Sequence, residues 1–330
     1  MPYSYANIRA RIVATGSHLP SRVITNSEIL GLEGSDSSIR RLLGAVERRG
    51  VEEHEACSDI ITAAATRVLE TAEISPLEID RIIVSTTPGD FVEPCTASVV
   101  QYKLRARCAA TDVGMSCVGW VAGVDYALRC LATGEKRILV LAGTIVSKGT
   151  VFRNPMHRAI FGDGAGGVLL EATDNPGPSQ FLAGGLWTDG QYFDVITMPN
   201  LTSVHSPRIP MEYKGSFYMG RREVINEALR NNLSRCVDEV LQTAGVTKDE
   251  IDVAFIHQPS KPLFEEALKA VGVPRSKVIE DYELYGNTIS AELPISLDEN
   301  VRNGRIKRGD TILMVTFGAG FSAGILLFRY

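Results

Sequence analysis

Apolar residues along this chain follow two spacings that alternate from one segment to the next. Short β-branched runs, such as the one within 78–87, predict buried strands. Longer stretches with apolar residues every three or four positions, such as 118–131, predict helices. Strands that alternate with helices favour mainly parallel sheets covered by helices. The pattern therefore predicts an α/β fold.

The same succession of elements is written twice along the chain. Residues 78–87 and residues 250–258 each run from an acidic turn into a short β-branched strand. Aligning these two segments places Ser85 opposite His257. Self-similarity on this scale indicates a duplicated α/β domain rather than a solenoid of short repeats.

The repeat divides the chain into two halves. The turn-rich stretch 172–180 suits a linker, so we predict a first half over 1–175 and a second half over 176–330. Residues 144–160 have no counterpart in the second half and are predicted to form an inserted loop or cap. Each half is predicted to continue with a helix (118–131 and 288–301), an apolar strand (137–142 and 311–316) and a glycine-rich turn (161–167 and 317–324).

Cys117 stands at the predicted strand-to-helix turn of the first half. A cysteine there lies near backbone N–H groups and the positive end of the helix dipole, which favours the nucleophilic thiolate. A buried cysteine that only packs is the alternative, because free cysteine is among the most buried residue types. The repeat favours a reactive thiol, since Asn287 occupies the matching helix start and His257 ends the strand before it.

Cysteine, histidine and asparagine that converge on one cleft have the chemistry for acyl transfer. The thiolate of Cys117 can attack a thioester carbonyl while the imidazole of His257 manages protons. Asn287 does not titrate, so its amide donates a hydrogen bond or fixes geometry. Two neutral donors aimed at one point suit the enolate oxygen that forms when a malonyl thioester loses carbon dioxide. A cysteine protease uses the same residue types, so the types alone leave both reactions open.

The composition describes a globular protein with a large core and argues against several classes of function. The chain has 330 residues, of which 45% are hydrophobic and 22% charged, and its net charge is −5. No dense basic stripe favours a nucleic-acid partner. The six cysteines lack paired spacing and the five histidines form no ligand pattern, so neither disulfides nor a metal site is predicted. Without a membrane-spanning run or a secretory signal, we expect a cytoplasmic protein.

Five short motifs become specific when their order and spacing are taken together. They are the stretch 112–120 around Cys117, Phe161-Gly-Asp-Gly-Ala-Gly166, His257-Gln-Pro-Ser260, Tyr285-Gly-Asn-Thr288 and Phe317-Gly-Ala-Gly320. With these motifs the chain resembles the type III β-ketoacyl-acyl-carrier-protein synthases, condensing enzymes of the thiolase superfamily, over nearly its whole length. The resemblance implies a five-layered αβαβα thiolase fold, usually assembled as a homodimer.

The resemblance also implies a reaction and roles for individual residues. Cys117 matches the acylated nucleophile, and His257 and Asn287 match the pair that promotes decarboxylation of the malonyl extender and holds its enolate. The backbone N–H groups of Cys117 and Ala319 match the oxyanion hole of the acylation step. The implied reaction is a decarboxylative Claisen condensation of an acyl thioester with malonyl-acyl-carrier protein or malonyl-coenzyme A. The partner is then an acyl-carrier protein, and no resident cofactor is needed.

Other reactions of the same thiol remain as alternatives. Acyl transfer to oxygen or nitrogen without decarboxylation needs Cys117 but no enolate, and thioester hydrolysis needs only water as the acceptor. Release of carbon dioxide from a malonyl thioester separates the condensation from both of these.

Two departures from the family pattern concern coenzyme A. Gly44 and Pro155 stand where the family has a tryptophan and an arginine that stack on the adenine. Losing such stacking costs about 1–3 kcal/mol of binding, judged by base–aromatic contacts at other sites. Unless His157 or Arg158 substitutes, we expect a weakened preference for coenzyme A donors and a preference for carrier-borne acyl groups.

Further departures lie around the predicted tunnel. Pro262 replaces a basic residue and Ala323 replaces a tryptophan, so we expect a reshaped access tunnel. Met115 and Ser116 flank the nucleophile and are expected to alter the acyl pocket. The chain is therefore interpreted as a specialised paralogue of fatty-acid or secondary-metabolite (polyketide) biosynthesis rather than the housekeeping initiator.

Four basic residues are candidates for carrier or phosphopantetheine contacts. Lys214, Arg221, Arg222 and Lys261 could form a basic lip for an acidic carrier protein or a phosphate, and a scattered solvated face is the alternative. Asp163, by contrast, is expected to satisfy backbone donors in its own glycine turn and to have no chemical role.

Overall fold

The computed structural model describes residues 2–31, 40–41, 44–149, 152–175, 177–198, 212, 216–220 and 222–330. Within these ranges strands and helices alternate as the apolar spacing predicts. The strands are β1 Pro2–Ser4, β2 Ala10–His18, β3 Arg22–Thr25, β4 Glu47–Gly50, β5 Arg81–Thr86, β6 Ala109–Asp112, β7 Arg137–Thr144, β8 Gly164–Ala172, β9 Gln180–Thr188, β10 Ile196–Thr197, β11 Tyr218–Met219, β12 Val253–Ile256, β13 Thr311–Gly318 and β14 Ser322–Arg329. The helices are α1 Asn26–Leu30, α2 Cys57–Ala72, α3 Thr96–Leu104, α4 Gly119–Ala132, α5 Pro155–Arg158, α6 Arg222–Ala244, α7 Lys261–Val271, α8 Tyr282–Tyr285 and α9 Glu292–Arg302.

Two five-stranded sheets form the framework. The first has the strand order β2-β8-β7-β5-β6, and the second has the order β1-β9-β14-β13-β12. Strand β5 runs parallel to β6 and β7, and β12 runs parallel to β13. The remaining pairs in both sheets are antiparallel. The prediction of mainly parallel sheets is therefore wrong, because connections such as the short turn 319–321 between β13 and β14 leave no room for a crossover helix.

Each half of the chain supplies most of one sheet, with one exchange. Strand β1, at the start of the first half, pairs antiparallel with β9 of the second sheet, with Pro2 opposite Gly185. The first strand of the chain therefore lies in the second sheet. The boundary between 1–175 and 176–330 stays a prediction.

Three apolar clusters separate the layers. The central cluster lies between the two sheets and is built on Trp120 and Leu128 of α4 and on Leu293 and Leu297 of α9. A second cluster packs α2 and α3 against the outer face of the first sheet, and a third packs α6 and α7 against the outer face of the second. The order helix, sheet, helix pair, sheet, helix is the five-layered αβαβα arrangement that the resemblance implies. Burying each large aliphatic side chain here contributes about 1.5–3 kcal/mol.

The helix predicted over 118–131 is observed as α4, and the helix predicted over 288–301 is observed as a 3₁₀ turn followed by α9. The 3₁₀ turn covers Ile289–Ala291, and the α-helix starts at Glu292. Among the described residues, no helix is long and apolar enough to cross a bilayer.

The glycines predicted as a turn at 161–167 lie mostly inside β8. A Cβ at Gly166 would approach the backbone nitrogen of Ile295 to 2.8 Å, so glycine lets helix α9 pack directly on the strand. The central helix α9, which starts beside the catalytic candidates, is placed by this close contact.

Candidate active site

Cys117 lies in a single 3₁₀ turn, Ser116–Val118, between the end of β6 and the start of α4. Ser116 has a φ of +47°, a left-handed conformation that non-glycine residues seldom adopt and that is concentrated at functional sites. The hydroxyl of Thr316 donates to the Cys117 carbonyl at 3.0 Å, which ties the turn to β13 of the other half. The turn therefore holds the thiol at the junction of the two halves.

The loop after β13 closes over the other side of the thiol. A Cβ at Gly318, the last residue of β13, would lie 3.1 Å from the Cβ and 3.4 Å from the Sγ of Cys117, so a side chain there would require Cys117 to shift by a few tenths of an ångström. Ala319 and Gly320 follow and line the same cavity as the thiol. This places the Ala319 backbone beside Cys117, and its role in an oxyanion hole stays a prediction.

His257 follows strand β12 directly and is completely buried. Its backbone N–H donates to Val315 at 2.8 Å, and its ring meets Phe317 edge-on with centroids 5.6 Å apart. The Nδ1 atom lies 2.7 Å from Oε2 of Glu292. Burial by itself would lower the pKa of His257, but the Glu292 carboxylate and the sulfur of Cys117 outweigh burial and raise the pKa to about 10.

Asn287 is fixed through its backbone and through one side of its amide. The backbone N–H donates to Ile160 at 2.9 Å, and the carbonyl accepts from Gly162 at 3.1 Å. Its Oδ1 accepts from the N–H of Ile289 at 2.7 Å. Because Oδ1 is used in this way, the amide nitrogen is the donor left for a ligand in the cavity.

The structure brings all three predicted residues to one cavity. Cys117, His257 and Asn287 line a space of about 400 Å³, and most of the remaining wall is apolar. Cys117 itself packs against a small apolar cluster that includes Ile160, Phe161, Phe217 and Ile289. An apolar cavity with a few convergent polar groups is the usual form of a small-molecule site.

The predicted insertion at 144–160 forms part of this wall. It lies between β7 and β8 and contains the short helix α5. Phe152 stacks within 5.3 Å of Phe161 and of Phe217, so the insertion packs onto the apolar cluster beside the thiol. Met156 and His157 of α5 line the cavity directly.

Glu292 is the functional residue that the sequence reasoning missed. It is the first residue of α9, is 5% exposed, and uses Oε1 to accept from the backbone N–H of Gln258 at 2.8 Å. An acidic residue in the first turn of a helix is common, because it complements the helix dipole, and so gave no distinct signal. A weaker clue was available, because Glu292 stands directly before Leu293, Pro294 and Ile295, which are buried.

Of the four basic residues that were predicted to contact a carrier or phosphopantetheine, the structure describes two. Arg222, the first residue of α6, lines the cavity, and Lys261, the first residue of α7, lies beside the cavity residues Ser260 and Pro262. Lys214 and Arg221 lie outside the described residues.

The positions that depart from the family pattern have different structural explanations. Gly44 is buried at a φ of +92°, and a Cβ there would lie 2.7 Å from the Cβ of Lys261 and 3.4 Å from the ring of Tyr282, so a larger side chain would not fit. Pro155 is exposed at the start of α5. Arg158 donates to the Ser147 carbonyl at 3.1 Å and is not among the cavity residues, so of the two proposed substitutes only His157 borders the cavity.

Of the four residues that were expected to shape the tunnel or the acyl pocket, two line the cavity and two do not. Pro262 and Ser116 line the cavity, as expected. Met115 is absent from the described wall, and Ala323 is fully buried in β14, within the apolar cluster beneath α6 and α7. The expectation that Ala323 reshapes the tunnel is therefore wrong, because its side chain faces the core and not the cavity.

Asp163 is structural, as expected, but its donors lie elsewhere. It is fully buried and accepts from the backbone N–H groups of Val51 at 3.0 Å, Val146 at 2.7 Å and Ser147 at 2.9 Å. It therefore joins two separate loops to β8 instead of satisfying its own glycine turn.

Comparison with known proteins agrees with this geometry. The model of the family described as 3-oxoacyl-[acyl-carrier-protein (ACP)] synthase III matches residues 111–190, and the model of its C-terminal part matches 241–330. A β-ketoacyl-[acyl-carrier-protein] synthase III of Alkalilimnicola ehrlichii is 36% identical over 332 residues, covering 97% of this chain and 99% of that protein.

Solved structures of similar proteins share the fold. The 3-oxoacyl-[acyl-carrier-protein] synthase III of Aquifex aeolicus superposes with a TM-score of 0.87 at 30% identity, covering 97% of this chain and 100% of that one. The corresponding structure from Thermus thermophilus gives 0.87 at 29% identity, covering 97% and 99%. The predicted thiolase fold and the acyltransferase class are confirmed. This chain belongs to the 3-oxoacyl-acyl-carrier-protein synthase III family.

Proposed function

We propose that this enzyme forms a carbon–carbon bond by decarboxylative Claisen condensation. The Cys117 thiolate attacks the carbonyl of an acyl thioester, the carbon–sulfur bond of that thioester breaks, and the carrier or coenzyme A leaves as a thiolate that solvent protonates. A malonyl thioester then loses carbon dioxide, and the resulting enolate oxygen is held by His257 and Asn287. The enolate carbon attacks the acyl group, the new bond forms, and the Cys117 thiolate departs from the β-ketoacyl product.

The convergence of Cys117, His257 and Asn287 on one apolar cavity carries this proposal. The amide nitrogen of Asn287 and the imidazole of His257 supply two donors from buried side chains at a largely apolar cavity. Such preorganised donors lower the barrier most where negative charge develops, as it does on an enolate oxygen. No resident cofactor is required by this scheme.

The size and lining of the cavity support an apolar acyl group longer than acetyl. A space of about 400 Å³ holds on the order of a dozen water-sized groups. Its wall includes Phe161, Phe217, Met219 and Ile225, so an extended polar acyl chain would lose its hydration without gaining partners.

One observation favours a second candidate, acyl transfer to oxygen or nitrogen without decarboxylation. Glu292 lies against Nδ1 of His257, and a thiol, an imidazole and an acid in sequence is the arrangement of a general-base system. In that case His257 would deprotonate the incoming hydroxyl or amine, and Asn287 would only orient the acyl-enzyme.

The proposal is tested with intact-mass spectrometry and a malonyl thioester labelled at its free carboxylate. Exposed to acyl-coenzyme A and acyl-carrier-protein thioesters of two to twelve carbons, roughly the range such a cavity admits, the protein should gain the acyl mass. It should favour chains longer than acetyl, and Cys117→Ala should gain none. The acylated enzyme should then release labelled carbon dioxide and form a β-ketoacyl product. Acylation followed by transfer to an alcohol or amine, with no labelled carbon dioxide, would contradict condensation and support the second candidate.

We further propose that the partner is an acyl-carrier protein that docks at the cavity mouth near Arg222 and Lys261. Free thiols at all six cysteines suit the reducing cytoplasm, where we place the reaction. We also propose a homodimer. Its support is the edge strand β6, the last strand of the first sheet, together with the nearby exposed side chains of Phe91, Val92 and Tyr102.

A further inference from the structure

Glu292 is a buried carboxylate whose two oxygens both face the catalytic histidine segment. One oxygen lies 2.7 Å from Nδ1 of His257, and the other accepts from the backbone N–H of the next residue, Gln258, at 2.8 Å. The carboxylate also stands at the N-terminal end of α9, where the helix dipole favours negative charge. These contacts hold the carboxylate against the Nδ1 side of the imidazole.

The groups around this pair are few and can be named. Within the described residues, Cys117 and Glu292 are the ionisable groups that act directly on His257, and the ring of Phe317 covers one side of the imidazole. Beyond Glu292, the side-chain amide of Gln258 donates to Asp281 at 3.3 Å and to the Ile279 carbonyl at 3.2 Å.

Asp281 continues this polar row. It accepts a hydrogen bond from the hydroxyl of Ser296, one turn along α9 from Glu292. Asp281, Gln258, Glu292 and His257 therefore lie in one polar row. Among the described residues, the ion pair that Glu292 forms is with His257.

We propose that Glu292 is a positioning residue that keeps the Nδ1 proton on His257 and holds the imidazole in its charged form. With Nδ1 next to the Glu292 carboxylate, Nε2 is the ring nitrogen left to act in the cavity that His257 lines. A charged ring then presents an Nε2–H donor to the sulfur of Cys117 and, after acylation, to the oxygen of the incoming thioester. A neutral ring with the same Nδ1 proton would present a bare Nε2, which accepts a proton and cannot donate to an enolate.

This inference deepens the proposed function and rests on it, because condensation requires His257 as a donor. Proton balance is kept through both steps. The malonyl carboxylate leaves as neutral carbon dioxide, and its charge moves to the enolate and then to the departing Cys117 thiolate. His257 keeps its proton throughout, and the carboxylate of Glu292 stabilises that positive charge at every stage.

The test follows His257 itself, by NMR of proteins labelled with ¹⁵N in the imidazole and titrated with pH. The His257→Asn protein identifies the signal. In the unmodified enzyme the ring should remain doubly protonated at pH 8. In Glu292→Gln the midpoint should fall by about 1–3 pH units, the range expected on losing one close opposite charge.

Glu299→Gln is the matched control. It removes a partly buried carboxylate from the same helix, one that accepts from the Tyr285 hydroxyl at 2.9 Å and does not reach His257. Its His257 midpoint should equal that of the unmodified enzyme. Cys117→Ala should retain most of the elevated midpoint, because Glu292 remains.

A second readout is the alkylation of Cys117 by iodoacetamide, followed by mass. At pH 7 the rate should drop about tenfold or more in Glu292→Gln, since a charged imidazole favours the nucleophilic thiolate. It should be unchanged in Glu299→Gln and partly restored in Glu292→Asp. A midpoint near 6.5 in the unmodified enzyme, or equal behaviour of Glu292→Gln and Glu299→Gln, would overturn the proposal. The midpoint of the unmodified enzyme can be measured without any variant. Neither readout uses a malonyl thioester, so both test the role of Glu292 independently of whether the condensation takes place.

Discussion

The ends of β5 and β12 occupy equivalent places in the two halves, yet different groups pack against the residue at each end. In the first half Ser85 is covered by Gly119, and a Cβ at Gly119 would collide with the serine hydroxyl. In the second half His257 takes the place of the serine, and helix α9 brings the side chain of Glu292 against its ring. The start of α4 therefore packs on the end of β5 through the backbone of a glycine, whereas the start of α9 places a carboxylate next to the residue that follows β12.

This difference separates the chemical tasks between the halves. The first half contributes a thiol held by backbone and apolar contacts, while the second contributes the titratable imidazole, its carboxylate and the amide donor. The two halves share a similar frame, but at the helix start the first half places Gly119 against Ser85 and the second places Glu292 against His257. Loss of the Asn287 amide should therefore affect extension more than acylation, whereas loss of Glu292 should also slow the reactions of the Cys117 thiol.

The largest expected effect comes from Asn287→Ala. Removing one donor from an oxyanion-type site costs about 10²–10³-fold in rate, so extension should fall by this factor while acylation of Cys117 is retained. Mass spectrometry of the acyl-enzyme and assay of the β-ketoacyl product measure the two steps separately.

Asn300→Ala is the control for this change, because Asn300 is a buried amide at the far end of α9 that donates to the Ser296 carbonyl. It should leave both steps intact. Equal loss of acylation and extension in Asn287→Ala would show that the two halves do not divide the reaction as proposed.

An intermediate effect is expected from reversing charge at the cavity mouth, also in the second half. Arg222→Glu and Lys261→Glu should raise KM for carrier-borne thioesters by roughly threefold to tenfold at low salt, because rim charges act mainly on association. Arg235→Glu, on the same helix but paired with Glu239 at 2.8 Å, is the matched control and should have no such effect. If KM were unchanged in both Arg222→Glu and Lys261→Glu, or if KM depended on salt as strongly in both variants as in the unmodified enzyme, the carrier would dock elsewhere.

The smallest expected effect concerns stability and Asp281. Burial, followed by the nearby charge of Glu292, raises the pKa of Asp281 to about 7. The folded state therefore binds a proton that the unfolded state releases between about pH 4 and pH 7, and this group's contribution to stability falls as pH rises through that range.

Asp281→Asn removes this term, so it should be more stable relative to the unmodified protein at pH 8 than at pH 5. Thermal unfolding at the two pH values measures the difference. A constant difference in Tm at both values would mean that Asp281 is ionised in the fold. The charge on His257 has the same sign of dependence over a higher range, because its pKa is also raised, so its stabilisation falls progressively between about pH 6.5 and about pH 10.

Much of this could be predicted from local patterns. The apolar spacing located α4, the paired segments located β5 and β12, and the spacing of Cys117, His257 and Asn287 indicated that they would meet. Sheet direction could not be predicted in the same way, since it depends on which strands pair. The expectation for Ala323 was wrong because a family pattern gives the residue type at a position and does not say whether that side chain borders the cavity.

The sequence by itself determined the duplication, the three catalytic candidates and the family, because each is a matter of residue type and spacing along one dimension. Only the tertiary structure decided what surrounds them. The pairing of Glu292 with His257, the steric reason for Gly44 and the three loop donors to Asp163 all join residues far apart in the chain. Their energies depend on distance and burial in the folded state, and neither quantity is written in the order of the residues.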